Sequence, residues 1–187
     1  GSHVVTVTAT DTDGLYVTDM VSFTLNTAPV ISDILVDPST GQVGDTLSCL
    51  VSSEDADGDA PEVTIEWSTG ERTDSITLTE DHDPGDVLVC TATATDEHDL
   101  FDTDTASATV INTDPEILTL VIAPETPRVG DTIICAATSS DADGAEPSIE
   151  YTWSDGSTGD EYTVDEEDAA GSLITCTATA RDEHGGE

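Results

Sequence analysis

The chain has 187 residues, 41 of them Asp or Glu against 3 Lys or Arg and with no lysine at all, for a formal charge of −38. Nucleic acids and anionic membrane surfaces are thereby excluded as electrostatic partners, because binding a polyanion needs clustered Lys and Arg to displace its counterions. No apolar run approaches the about 18 residues of a spanning helix, so no membrane insertion is expected in this segment.

Taken in chain order, residues 1–25 read as the closing strands of a partial repeat: Thr8-Ala9-Thr10-Asp11 matches Thr93-Ala94-Thr95-Asp96, and Leu15 to Asp19 matches Leu100 to Asp104. Residues 26–111 form a complete repeat that opens on Asn26-Thr27-Ala28-Pro29. That motif recurs 86 positions later as Asn112-Thr113-Asp114-Pro115, and the offset then holds without a gap through residues 112–187. Val43-Gly44-Asp45-Thr46 maps to Val129-Gly130-Asp131-Thr132, Cys49 to Cys135, Trp67 to Trp153, Cys90 to Cys176, and Asp96-Glu97-His98 to Asp182-Glu183-His184. The second copy stops before the strand that Thr103 to Ile111 supplies in the first.

Within a repeat, apolar and polar residues alternate with the period of half-buried strands. Leu47, Cys49 and Val51 point one way, as do Val63, Ile65 and Trp67, then Ile76 and Leu78, then Leu88, Cys90, Ala92 and Ala94. Asp37-Pro38, Asp57-Gly58 and Asp83-Pro84-Gly85 punctuate these runs at turn positions, and no helical period is sustained. About seven short strands per repeat predict an all-β chain of seven-stranded β-sandwiches. Trp67 and Trp153, in phase with the apolar faces, are expected in the cores rather than stacked on sugars.

The segments Gly1 to Gly14, Cys90 to Asp96 and Cys176 to Asp182 resemble the closing strands of polycystic-kidney-disease-type (PKD-like) domains. With the Asn-Thr-x-Pro openings, the chain is similar to tandem Ig-like or PKD-like repeats of large bacterial secreted and cell-surface proteins. The resemblance implies sandwiches arranged as a linear rod, an extracellular or cell-surface location and a role as spacer, adhesive stalk or carrier. The Cys, Trp, Cys order echoes immunoglobulin-like domains and implies disulfides Cys49 to Cys90 and Cys135 to Cys176, hence an oxidising compartment. The chain departs from immunoglobulin domains at Leu88 and Ile174, where a tyrosine corner would need Tyr.

Chemistry is concentrated in Glu54-Asp55-Ala56-Asp57-Gly58-Asp59, its copy Ser140-Asp141-Ala142-Asp143-Gly144-Ala145-Glu146, and the loops at Asp96 and Asp182. In a sandwich these loops lie at one end of the domain, next to the linker at Asn26 or Asn112. Asp55, Asp57 and Asp96, with Asp141, Asp143 and Asp182, are therefore candidate Ca2+ ligands that would stiffen the junctions. The other reading of the same residues is that Asp-rich turns cap their own backbone and stay solvated. His98 and His184 make a poor zinc set. No nucleophile and base arrangement, phosphate loop or metalloprotease motif is present, so no enzymatic activity is expected. Neither Asn26 nor Asn112 begins an N-glycosylation sequon, the Thr-rich faces permit O-glycosylation, and the acidity suits a high-salt habitat.

The expected function is a structural repeat region of an extracellular stalk, adhesin or filament, with neighbouring repeats of the same chain as partners. The alternative is a glycan- or protein-binding module that uses the acidic loop tips. The chain lacks an initiator Met and starts and stops in mid-pattern, which reads as a window on a longer protein. Were it instead a whole subunit, Tyr16 to Leu25 would be free to complete the sandwich of a neighbouring copy and propagate a fibre.

Overall fold

The computed structural model describes residues 2–58, 60–168 and 170–187, and all of the regular structure among them is strand. β1 (Ser2–Thr10) and β2 (Tyr16–Thr24) pair antiparallel as a sheet of their own. The described residues of 26–111 hold seven strands: β3 (Val30–Asp37), β4 (Thr40–Gly41), β5 (Thr46–Glu54), β6 (Glu62–Trp67), β7 (Ser75–Thr77), β8 (Val87–Thr95) and β9 (Phe101–Val110). Five follow among the described residues of 112–187: β10 (Glu116–Ala123), β11 (Thr132–Ser140), β12 (Ser148–Trp153), β13 (Glu161–Thr163) and β14 (Cys176–Arg181).

The strands assemble as β3-β5-β7 and β4-β9-β8-β6, and then as β10-β11-β13 and β12-β14. This all-β arrangement of several small sheets is consistent with β-sandwich domains. The prolyl bonds Asp37-Pro38 and Ala123-Pro124, at equivalent positions, are both cis.

Alternation explains most of the burial. Along β8, Leu88, Cys90, Ala92 and Ala94 are buried while the residues between them are not. β3 breaks the rule. Its inward residues are Ile31, Ile34 and Val36, a spacing that a regular strand cannot present on one face. The pairing of β3 with β5 slips between Ile31 and Asp33, and this bulge resets the phase. An equivalent slip occurs between Ile117 and Thr119 where β10 pairs with β11.

By packing, the described residues divide into two units, which cut across the sequence repeats. One is drawn from Gly1–Ser39, Ser48–Ile76 and Leu88–Ser107, the other from Thr40–Leu47, Thr77–Val87 and Ala108–Glu187.

In the first unit Ile31, Ala92 and Ala94 form a buried cluster with Ile34, Val51 and Ile65 packed on it. The Cys49–Cys90 disulfide joins β5 to β8 and so links two sheets across the core. Trp67, 2% exposed, donates its indole N–H to the Thr73 carbonyl at 2.9 Å.

In the second unit Ile133, Cys135, Trp153 and Val164 form the buried cluster, and Cys135–Cys176 joins β11 to β14. Trp153 donates to the Gly159 carbonyl at 2.8 Å, and its ring centre lies 5.1 Å from that of Tyr162. The Tyr162 hydroxyl donates to the Asp168 carboxylate at 3.0 Å. Burial, then that hydrogen bond and the negative charge behind it, push the Tyr162 phenol up to about 12. Absorbance titration of the phenolate should therefore show one tyrosine ionising near 12, and Asp168→Asn should bring it down. Because the folded value is raised, what this contact adds to stability is fully present below the ordinary value of 10.0 and is lost as pH rises through about 12.

Candidate functional site

The acidic loops are built on one turn used repeatedly. In Asp55-Ala56-Asp57-Gly58, Asp55 Oδ1 accepts the Asp57 amide at 2.8 Å and the Asp55 carbonyl accepts the Gly58 amide at 3.1 Å. Asp141-Ala142-Asp143-Gly144 repeats this at 2.8 and 3.3 Å. Asp is favoured first because its side chain stands in for a turn acceptor, and Gly last because that position has φ near +90°.

The loop after β8 is the second recurrent turn. Asp96 Oδ1 accepts the His98 and Leu100 amides at 2.8 and 2.9 Å, and Asp182 Oδ1 accepts those of His184 and Gly186, both at 2.8 Å. His98 and His184 thus contribute backbone amides to these turns. Asp99 holds φ +65° where Gly14 and Gly185 stand in the other two copies. Asp99→Gly should relieve that left-handed strain against a loss of chain rigidity, so chemical denaturation should show a change within about 1 kcal/mol and no loss of fold.

These two turns converge on the opening of each repeat. Asn26 Nδ2 donates to Asp96 Oδ2 at 2.7 Å, while the Thr27 amide and hydroxyl donate to Asp57 Oδ2 at 2.6 and 3.0 Å. Asn112 Nδ2 donates to Asp182 Oδ2 at 2.7 Å, the Thr113 amide to Asp143 Oδ2 at 2.7 Å, and its hydroxyl to Asp143 Oδ1 at 3.0 Å. Asp96 is only 6% exposed, and Pro29, two residues past Thr27, is fully buried.

Burial pushes the Asp96 carboxyl up, but the amide of Asn26 and the backbone amides of Leu100 and His98 outweigh it and hold it below its ordinary range. Asp182 is lowered by the Asn112 amide against the cost of burial, and Asp57 by the Thr27 backbone amide and hydroxyl.

The six acids proposed as calcium ligands therefore sit in two equivalent places, and most of their oxygens already accept N–H or O–H groups. Asp59, the last acid of the first cluster, lies outside the described residues. Calcium asks for six to eight oxygens at about 2.3 to 2.6 Å. Among the described residues no group of three or more His, Cys, Asp or Glu is placed to hold a metal ion. Asp55 Oδ2 and Asp141 Oδ2 are buried without a hydrogen-bond partner, as is Asn112 Oδ1.

The sequence pattern marked Asn26, Thr27, Asn112 and Thr113 as repeat openings without giving them a role. The usable signal was constant separation, since each Asn lies 70 residues before its Asp and each Thr 30 residues before its own. No protein-family model matches the chain, and no curated protein matches it. Two disulfides suit an oxidising environment.

Proposed function

We propose that this chain is a structural repeat region of an extracellular or cell-surface stalk, adhesin or filament, made of tandem Ig-like or PKD-like sandwiches in a linear rod. The observation that carries this reading is that both Asn-Thr openings are held by the same acidic turns at matching distances, 2.7 Å in each copy for Asn to Asp. A chain that rebuilds its own opening twice in this way is organised around repetition. A recognition surface would more often diversify one loop tip. The reading assigns no catalytic role to any residue.

Small-angle scattering of the 187-residue chain tests it. A rod requires a radius of gyration clearly above the about 16 Å of one compact domain of this length. A value at that compact limit would exclude the rod.

A second reading adds calcium at the acidic turns, favoured by the equivalent unpartnered oxygens of Asp55 and Asp141. Bound ions would raise the thermal midpoint by mass action. A rise of several degrees in millimolar calcium, beyond a magnesium and ionic-strength control, would support it. A midpoint that follows ionic strength alone would leave these acids as hydrogen-bond acceptors only.

A further inference from the structure

We propose that the outer edge of β5 is a docking site for an extended cationic peptide, which adds as a strand beside Val51 and Ser53, and that Tyr151 closes the same edge in the second repeat. The site lies within one packing unit and does not depend on the stalk reading.

The edge is open because β7 is short. Among the described residues β5 has β3 on one side and β7 on the other, and β7 has three residues against the nine of β5. The Cys49 amide donates outward to the Asp74 carbonyl at 2.8 Å, just ahead of β7, and the cover ends there. Amides along an antiparallel strand alternate between its two neighbours, so those of Val51 and Ser53 face the same way as that of Cys49.

The second repeat shows how such an edge is closed. Ala137, which stands 86 positions after Val51, donates its amide to the Tyr151 hydroxyl at 3.0 Å. The counterpart of Tyr151 is Ile65, which has no oxygen to offer. β11 is thus capped by a side chain of its own repeat where β5 is not. Edge amides beside an apolar floor form the kind of surface to which a further strand adds.

The floor is present. A cleft of about 430 Å³ opens along this edge, with Val51, Val63 and Ile65 in its lining together with Asp74. Val51 and Ile65 are half-buried, so a strand laid there would remove apolar surface from water as well as pair amides. Asp74 stands where β7 begins, and at the other end Glu54 closes β5 and Glu62 opens β6. Arg72, between β6 and β7, is engaged with Glu66 at 3.2 Å.

Charge decides the occupant. A second copy would bring 41 further acids with only 3 Lys or Arg, and repulsion disfavours it. A segment that alternates apolar residues with Arg or Lys fits both the floor and the acids at its ends.

The test is an NMR titration of the isotope-labelled 187-residue chain with a short peptide alternating valine and arginine. Two controls alternate valine with glutamate and serine with arginine. The first peptide should shift the Val51 and Ser53 amides, weaken with added salt, and bind about tenfold more tightly than either control. Ile65→Tyr should cap Val51 as Tyr151 caps Ala137 and lower that affinity about tenfold, and Tyr151→Ile should create a second site read at Ala137. Protection of the Cys49 and Cys135 amides, which donate to the Asp74 and Asp160 carbonyls, reports whether each core survives. The two variants lie in different packing units, so loss of one core leaves the other test intact. No shift at Val51 and Ser53, equal binding of either control, or unchanged affinity in folded Ile65→Tyr would overturn the proposal. So would a folded Tyr151→Ile chain that gains no site. Val51 protection that rises with the concentration of the chain alone would make a second copy the occupant and equally overturn it.

Discussion

Replacing Trp67 by alanine should cost the packing unit that holds it about 3–5 kcal/mol, the usual loss for deleting a large buried aromatic. Trp67 is 2% exposed and among the largest fully buried side chains. Its backbone is equally committed, since its amide donates to the Glu71 carbonyl at 2.8 Å and its carbonyl accepts the Gly70 amide at 2.9 Å. With a total stability of about 5–15 kcal/mol for a small domain, that loss is a large fraction of the whole. Trp67→Phe refines the test. It keeps most of the ring but leaves the Thr73 carbonyl without the indole donor 2.9 Å away, at about 1–3 kcal/mol. Urea unfolding followed by the fluorescence of Trp153, the one remaining indole, and by circular dichroism for the affected unit, would measure both. A Trp67→Ala cost below about 1 kcal/mol would mean that the core is organised around something other than this ring.

Removing the Cys49–Cys90 bridge as the double alanine variant should destabilise the same unit by roughly 4 kcal/mol, from the chain entropy that a loop of 41 residues restores to the unfolded state. Differential scanning calorimetry should show the transition of the unit that holds the bridge fall by on the order of 20 °C. The two bridges should also differ in chemical access. Cys49 and Cys90 are 3% and 0% exposed, whereas Cys176 is only half-buried beside Cys135. Under native conditions a small thiol should reduce Cys135–Cys176 first, because exchange needs an attacking thiolate to reach a sulphur. Mass spectrometry after timed alkylation would give the order. Equal rates would show that reduction proceeds only through unfolding.

Strand content was legible because alternation is written into single residues. Leu88, Cys90, Ala92 and Ala94 turn inward as a period of two requires. The cysteine pairing followed from the Cys, Trp, Cys order that the repeats share with immunoglobulin-like domains. Both bridges form between those partners. Val63 shows the limit of periodicity: it is in phase with Ile65 and Trp67 yet 38% exposed, because alternation gives the face but not the depth at a strand's end. The bulge in β3 was not readable either, since Ile31, Ile34 and Val36 look like a broken pattern until the partner strand is present to absorb the extra residue.

The acidic loops divide in the same way. Asp-x-Asp-Gly specifies its own turn, because the first Asp caps the backbone two residues on and Gly takes the left-handed position; that much is local and any reader of the sequence can find it. What those carboxylates do for the rest of the chain is not local. Asp96 meets Asn26 across 70 residues and Asp57 meets Thr27 across 30, separations that only the folded chain brings within hydrogen-bond distance. The sequence by itself determined the repeats, which show as matches 86 positions apart, and the strands and turns, since each of those rests on residues within a few positions of one another. The tertiary structure alone decided that the acids act first as acceptors for the opening Asn-Thr pairs, because a carboxylate's partners depend on which donors the fold delivers to it.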